Sequence, residues 1–432
     1  MKYSRYVVSI QKKEHTFLFN TKNNLAVKIE NRLFEKIETD SKTREQFYNF
    51  LYTRKFLPER NELEEAVQMF RDRDASTLRI IILAHGDCNF RCKYCYEKFV
   101  DCSIESQKSS ILKFVKNKFE QYQFKDIHVS WFGGEPLLGY RDILDISKAL
   151  IELSSTYGIR YHSDMTTNGY LLNSKTLSRL VTECQVQSYQ ITVDGTKEGH
   201  DNQRVLKNGH GSYDRIIKNL SNAQKLDLNF HILIRLNVSK ENYSDVENFL
   251  VTDAQLFKRD KRFQLLFRNV GDWGCGDRKE GYEVKRFAED VSFELSQKAI
   301  KQGYNLFDDL LFRSNYYACY AQKEHTYTID TKGNLLKCTV ALYDEENKIG
   351  NLDSFVIDDQ KQKLWINNYE FSPKCLKCQL LLICKGGACP KRDIFNERTF
   401  NEKCQRMRQN ILQNFELAIL SNKVDYELKV ER

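Results

Sequence analysis

The chain has 432 residues, enough for two or three domains, and its 67 basic against 59 acidic residues leave a net charge of +8. That excess is small and spread along the chain, so it gives no ground for a nucleic-acid partner. No run of eighteen apolar residues occurs and the opening Met1-Lys2-Tyr3-Ser4-Arg5 lacks a signal-peptide pattern, so no membrane span is expected and the cytoplasm is the expected compartment. Thirteen cysteines without an export signal argue for metal or redox chemistry over a disulfide framework, and they cluster: three lie at positions 88 to 95 and seven between 319 and 404.

Residues 1 to 75 read as a small α+β unit. Tyr6 to Ile10, His15 to Phe19 and Leu25 to Ile29 are strand-like, and helical spacing follows over Asn31 to Ile37 and Thr43 to Lys55. Strands then helices suit a winged-helix-like module that grips a leader peptide; the plainer alternative is an adaptor covering one end of the next domain.

From residue 79 to about 270 strand and helix alternate six times, with strands expected at 79–84, 127–132, 161–166, 188–193, 230–238 and 263–269 and helices between them, such as Ser106 to Tyr122 and Tyr213 to Leu226. Right-handed crossovers would curl six such units into a partial (β/α)6 parallel barrel over residues 76–300, whose chemistry belongs at the C-terminal ends of the strands. Those ends carry distinctive residues. The first is followed by Cys88, Cys92 and Cys95, spaced C-x3-C-x2-C, which can ligate three irons of a [4Fe-4S] cube and leave the fourth open; zinc, with Cys102 as a fourth ligand, is the alternative. After the second come Gly133-Gly134-Glu135-Pro136, where glycines admit a ligand close to the backbone and a carboxylate suits an amine. Thr166-Thr167-Asn168-Gly169 and Thr192-Val193-Asp194-Gly195 end the third and fourth, and the fifth carries Arg235 and Asn237. Arg204 is a natural carboxylate partner, and Ser212 is placed to cap the next helix.

In residues 301–432 a hairpin is expected, Thr326 to Asp330 and Leu335 to Cys338, turned at Lys332-Gly333-Asn334, followed by Cys375, Cys378, Cys384, Cys389 and Cys404. On spacing alone, zinc and iron-sulfur are both open for Cys375, Cys378, Cys384 and Cys389.

Together these motifs resemble the radical S-adenosylmethionine (SAM) enzymes with a C-terminal SPASM domain, over roughly residues 79 to 410. The resemblance rests on the cysteine trio with Tyr94 inside it, Gly133 to Pro136, Asp194-Gly195, His200 to Arg204, Gly209 to Ser212 and the C-terminal cysteines. It implies that SAM chelates the open iron of the [4Fe-4S] cluster on Cys88, Cys92 and Cys95. Gly133, Gly134 and Glu135 would hold its ammonium, Arg204 its carboxylate and Thr192 its ribose, with Tyr94 beside the adenine. Two auxiliary [4Fe-4S] clusters are implied, one on Cys319, Cys338 and Cys389 and one on Cys375, Cys378, Cys384 and Cys404, with Cys275 as a possible further ligand. Two departures stand out. Four residues, not three, separate Cys384 from Cys389, and the region supplies seven thiolates where two clusters need eight. Cys102 and Cys184 are left as packed residues.

The implied activity is a 5′-deoxyadenosyl radical abstracting hydrogen from a ribosomally made peptide, to close a carbon-carbon, ether or thioether crosslink. Its partners would be a precursor peptide with a leader and a small redox protein, flavodoxin or ferredoxin, as electron donor. Asp272, Asp277 and Glu324 are the candidate bases. Two alternatives accompany this reading: oxidation of a cysteine or serine to formylglycine, as in anaerobic sulfatase maturases, and an iron-sulfur or zinc sensing protein without radical chemistry.

Overall fold

The computed structural model describes residues 2–271, 291–307, 319–367, 369–387, 389–395 and 399–430. Asp272, Cys275 and Asp277 lie outside them. The chain divides into two compact units, one of Met1–Arg73, Asp308–Gln322 and Asn367–Arg432, the other of Asp74–Phe307 and Lys323–Ile366.

In the first unit, β1 (Val7–Gln11), β2 (His15–Asn20) and β3 (Leu25–Glu30) form an antiparallel meander, followed by α1 (Asn31–Thr39), α2 (Ser41–Thr53) and α3 (Glu62–Ala75). Alternation along β3 sends Val27 and Ile29 into a core with Leu18, Leu33, Phe47, Leu51 and Phe56, as period-two patterning requires. The third helix was not expected from the sequence. Its signals are three glutamates in the first turn and Ala66 and Phe70 four apart on its buried face.

Those two residues pack with Tyr6 against Leu381 and Leu382 of the C-terminal cysteine region, and Phe19 stacks on Phe415 at 4.6 Å. The first 73 residues therefore share their cores with the C-terminal cysteine segment, and the boundaries expected from sequence at 75 and 300 do not separate the compact units. A fourth strand seals the association: Tyr426–Leu428 runs parallel to β3, pairing Glu427 with Lys28.

The second unit is built on β4 (Thr77–His85), β6 (Asp126–Gly133), β7 (Arg160–Thr167), β8 (Val186–Thr192), β10 (His231–Val238) and β11 (Phe263–Asn269), all parallel and in that spatial order. These are the six strands expected. Runs such as Ile80 to Ala84 are apolar throughout because helices cover parallel sheets. Helix Tyr140–Thr156 buries Ile143, Ile146 and Leu150, and helix Tyr213–Gln224 buries Ile216 and Leu220. Beyond β4 the sheet continues through β12 (Thr326–Ile329), parallel to β4, and then antiparallel β13 (Asn334–Leu336) and β14 (Lys348–Asn351). The hairpin assigned by sequence to the cysteine-rich domain thus extends the barrel sheet. A short ribbon, β5 (Phe90–Cys92) against β9 (Arg204–Leu206), lies at the C-terminal end of the strands and pairs Cys92 with Arg204. β15 is the Tyr426–Leu428 strand of the first unit.

Candidate active site

The loop after β4 is held by its own backbone. Asp87 accepts the Cys88 N–H at 2.8 Å and ion-pairs with Arg91 and Lys207, each at 2.9 Å. The Cys88 sulfur accepts the Phe90 N–H at 3.3 Å, and the Cys95 N–H donates to the Cys92 carbonyl at 3.1 Å. All three thiols line one cavity with Tyr94, Glu97, Gly133, Gly134, Thr192, Arg204, Arg235 and Asn237. Burial, then the Glu135 carboxylate and the neighbouring thiols, push Cys88 up; burial, then Cys92 and Glu97, push Cys95 up to about 12; burial pushes Cys92 up while Arg204 pulls it down. Bound iron would hold these groups as thiolates in place of protons.

Gly133 and Gly134 have a reason beyond ligand access. A Cβ at Gly133 (φ +120) would stand 2.4 Å from the His85 carbonyl oxygen, and one at Gly134 2.6 Å from that of Asp87. Glycine lets the end of β6 press against the backbone entering the cysteine loop, and the same peptides line the cavity.

Glu135 departs from expectation. It is fully buried and does not line the cavity. Its carboxylate accepts the Leu137 N–H at 3.0 Å, the Thr167 hydroxyl at 2.6 Å and the Asn168 N–H at 2.8 Å. It fixes Asn168, whose side-chain amide donates to Asn89 at 2.7 Å and lies 3.8 Å from the Cys88 sulfur. Glu135 is a positioning residue, and the direct ammonium contact expected of it is corrected accordingly.

On the far wall, Tyr94 is a hub. Its hydroxyl donates to Asp194 and accepts from Arg204 Nη1 at 2.6 Å and Asn237 Nδ2 at 3.1 Å. Asp194 is fully buried, accepts the Asn237 N–H at 2.8 Å and lies 3.9 Å from Arg204 Nη1. Arg235 Nε donates to Asn237 at 2.8 Å. Arg204 Nε, though buried, has no hydrogen-bond partner among the described residues, which leaves a donor for an incoming carboxylate. Behind this wall His200 is neutral: burial holds it well below the usual range, its Nδ1 accepts the Asp194 N–H at 3.2 Å and its Nε2 faces Ser212 Oγ at 3.0 Å. Ser212 makes no side-chain cap. Asp201 takes that role, accepting the Ser212 and Tyr213 N–H groups at 2.7 and 2.9 Å.

Glu324 is corrected as a base. It is exposed and just precedes β12, whose register puts Thr326 beside Arg79. That is the N-terminal end of the parallel strands, roughly 25 Å from the cysteine loop at about 3.3 Å per residue. Asn269, Val270 and Gly271 line the cavity. The segment bearing Asp272, Cys275 and Asp277 follows directly in sequence, outside the described residues.

The C-terminal cysteines fall into two places. Cys384 is pushed up to about 12 by burial and by the closeness of Cys375, Cys404 and Cys378. Cys319 and Cys389 belong to the same unit, and Cys338 to the other. After Cys384 the backbone takes positive φ at Lys385 (φ 52), Gly386 (φ 80) and Gly387 (φ 152). Cys184 is fully buried, and the Cys102 sulfur lies 3.6 Å from the Ser103 carbonyl. No disulfide joins the described cysteines, and no group of three or more His, Cys, Asp or Glu among the described residues is arranged to hold a single metal ion. No helix among them is long and apolar enough to cross a membrane.

A cysteine trio thus stands at the C-terminal mouth of a parallel partial barrel, beside a cavity with an uncommitted arginine donor. Residues 82–251 match the model of the Radical SAM superfamily. The chain is 25% identical over 335 residues to the cysteine-type anaerobic sulfatase-maturating enzyme of Clostridium novyi (strain NT), covering 70% of this chain and 85% of that one. It is 23% identical over 332 residues to the serine-type enzyme of Klebsiella pneumoniae, covering 70% and 79%. Native anSMEcpe with bound AdoMet superposes with a TM-score of 0.58 at 18% identity, over 80% of this chain and all of that one. Streptococcus suis SuiB bound to precursor peptide SuiA superposes at 0.51 and 16% identity, over 92% and 97%. The architecture is that of radical SAM enzymes with a cysteine-rich C-terminal region.

Proposed function

We propose that this protein is a peptide maturase that uses SAM and a [4Fe-4S] cluster on Cys88, Cys92 and Cys95 to remove hydrogen from a ribosomally made peptide and close an intramolecular crosslink. The observation that carries the peptide half of this reading is the three-strand, three-helix module of the first 75 residues, packed into one unit with the C-terminal cysteines. A barrel enzyme acting on a small free substrate has no need of it. The larger share of the chain covered by SuiB bound to its precursor peptide, 92% against 80% for anSMEcpe, supports the same choice. Sequence similarity to sulfatase-maturating enzymes favours formylglycine formation as the second reading.

When bound, the reduced cluster supplies the electron that converts SAM to methionine and a 5′-deoxyadenosyl radical. The chain's own residues do the positioning. Arg204, fixed by Tyr94 and Asp194, offers its free Nε to the SAM carboxylate. Thr192 and the Gly133-Gly134 peptides line the walls, and Glu135 holds Asn168 against Cys88. The convergence of Cys375, Cys378, Cys384 and Cys404 supports a second cluster there, which would take up the electron left when substrate oxidation is completed. By resemblance, Cys319, Cys338 and Cys389 are assigned to the first auxiliary cluster, and flavodoxin or ferredoxin to electron delivery.

The test is anaerobic reconstitution with SAM and a precursor peptide encoded beside this gene, read by mass spectrometry. Loss of two hydrogens, with fragment ions missing between two linked residues, is the expected outcome. No change in that peptide, together with formylglycine in a sulfatase-derived peptide, would establish the second reading instead.

A further inference from the structure

The net charge of +8 is less evenly spread than the whole-chain count suggests. Residues 373–408, which carry Cys375, Cys378, Cys384, Cys389 and Cys404, hold nine basic residues against three acidic ones. The fold gathers three of the basic side chains around the thiols. Lys374 and Lys377 flank Cys375 and Cys378 on and just beyond the short helix Pro373–Leu376, and both are exposed. Lys374 Nζ donates to Asn401 Oδ1 at 3.1 Å, which ties this helix to the start of helix Phe400–Leu420. On that helix Asn401, Cys404 and Arg408 recur at i, i+3 and i+7, so they share a face, and Arg408 is exposed. Glu402, the acid two residues before Cys404, is turned to the helix end, where it closes a capping box with Thr399.

Between the two lysines Leu376 stands 38% exposed, the one large apolar side chain exposed among the described residues of this segment. An apolar spot rimmed by cations suits a weak, fast encounter with an acidic surface. Nucleic acid would call for stacking aromatics among the cations, and a leucine does not supply them. The thiols set the kind of partner. Cys375, Cys378 and Cys404 are only half-buried, so a redox group held by them comes within reach of a molecule docked on this face. We infer that this face is the docking surface for an acidic one-electron carrier protein, with Lys374, Lys377 and Arg408 as its charged contacts. The inference rests on the proposed function, in which a cluster on Cys375, Cys378, Cys384 and Cys404 takes up one electron from the substrate. A docked carrier in its oxidised form accepts that electron, so the cluster is reoxidised and the carrier reduced, and no bond is made or broken at the surface. Redox encounters of this kind are small and transient, and charge sets their rate of approach.

The probe is oxidised flavodoxin, an acidic flavin carrier, titrated calorimetrically against the reconstituted protein at low and at high salt. The variant Lys374→Glu/Lys377→Glu/Arg408→Glu is compared with wild type and with Lys113→Glu/Lys116→Glu/Lys148→Glu. The latter makes the same charge change on exposed lysines of the barrel helices Lys108–Gln121 and Tyr140–Thr156. Wild-type binding is expected to weaken steeply with salt. At low salt the first variant is expected to lose about tenfold or more in affinity, and the barrel variant to stay within about twofold. Iron content should be unchanged in both, and so should SAM cleavage driven by dithionite, which needs no docked carrier. If iron falls in the first variant, the pair Lys374→Glu/Arg408→Glu, which leaves Lys377 in the cysteine loop untouched, decides by the same criterion. Equal weakening in the patch and barrel variants, or none in the patch variant, would overturn the inference. So would a DNA duplex that binds as tightly as flavodoxin and is lost in the same variant. Failure of the wild type to cleave SAM with dithionite would instead bring down the underlying functional reading, and is read independently of the carrier titration.

Discussion

The cysteines at 88 to 95 and those at 375 to 404 are placed in opposite ways. The first three stand at the open end of a parallel barrel, against a cavity whose walls still hold an unpaired guanidinium nitrogen. Of the second group, Cys375 and Cys384 stand on the short helices Pro373–Leu376 and Leu381–Cys384, Cys378 in the turn between them and Cys404 in the first turns of helix Phe400–Leu420, backed by Leu381 and Leu382 in an apolar core. Three thiolates leave one iron of a cube open to a small molecule, whereas four close it. The number of thiols in each group, and the polarity of what surrounds them, separates a place for chemistry from a place for storing an electron.

That contrast can be broken most completely at the first group. Replacing Cys88, Cys92 and Cys95 by alanine should lower bound iron by about four per chain and abolish SAM cleavage, measured as 5′-deoxyadenosine. Retained cleavage would transfer the radical chemistry elsewhere. Next comes Cys384→Ser. Iron should again fall by about four, yet 5′-deoxyadenosine should still form while the peptide product disappears, so that cleavage and modification come apart. Loss of both together would mean that the two groups are not functionally distinct.

A smaller effect sharpens the description of the cavity wall. Asp194→Asn removes the buried charge facing Arg204 and Tyr94, and should destabilise the chain by about 3 kcal/mol in urea denaturation, with weakened SAM binding. The smallest is pH-dependent. His200 is held below its ordinary value in the folded state, so unfolded chain takes up a proton that folded chain refuses. Stability should be complete above about pH 6.5 and decline below it by up to about 1.4 kcal/mol per pH unit, and His200→Gln should flatten that slope.

What was legible in the sequence followed locality. Strand β4 announces itself by a continuous apolar run and the others by their alternation with helical segments, and the cysteine loop by its spacing read together with the motifs at the neighbouring strand ends. The role of Glu135 was not legible, because its partners Thr167 and Asn168 lie 32 and 33 residues away and only the fold brings them to its carboxylate. Asp201 displaced Ser212 as a helix cap for a similar reason: the carboxylate arrives from an earlier turn of chain. Glu324 misled because an acid beside a hairpin strand says nothing about which end of the sheet it occupies.

The β15 strand sets a timing constraint on synthesis. Ala26 and Asp425, which hydrogen-bond to each other through both backbone and side chain, are 399 residues apart. At about 5 to 20 residues per second, a ribosome makes that interval in roughly 20 to 80 s. Throughout that time the β3 edge emerges without the neighbour it has in the finished protein, and the aromatic seat formed by Phe50 and Arg54 waits for Tyr426. An open strand edge is a template for pairing with other chains, so the β3 edge carries an aggregation hazard until Asp425 and the strand that follows it have been translated.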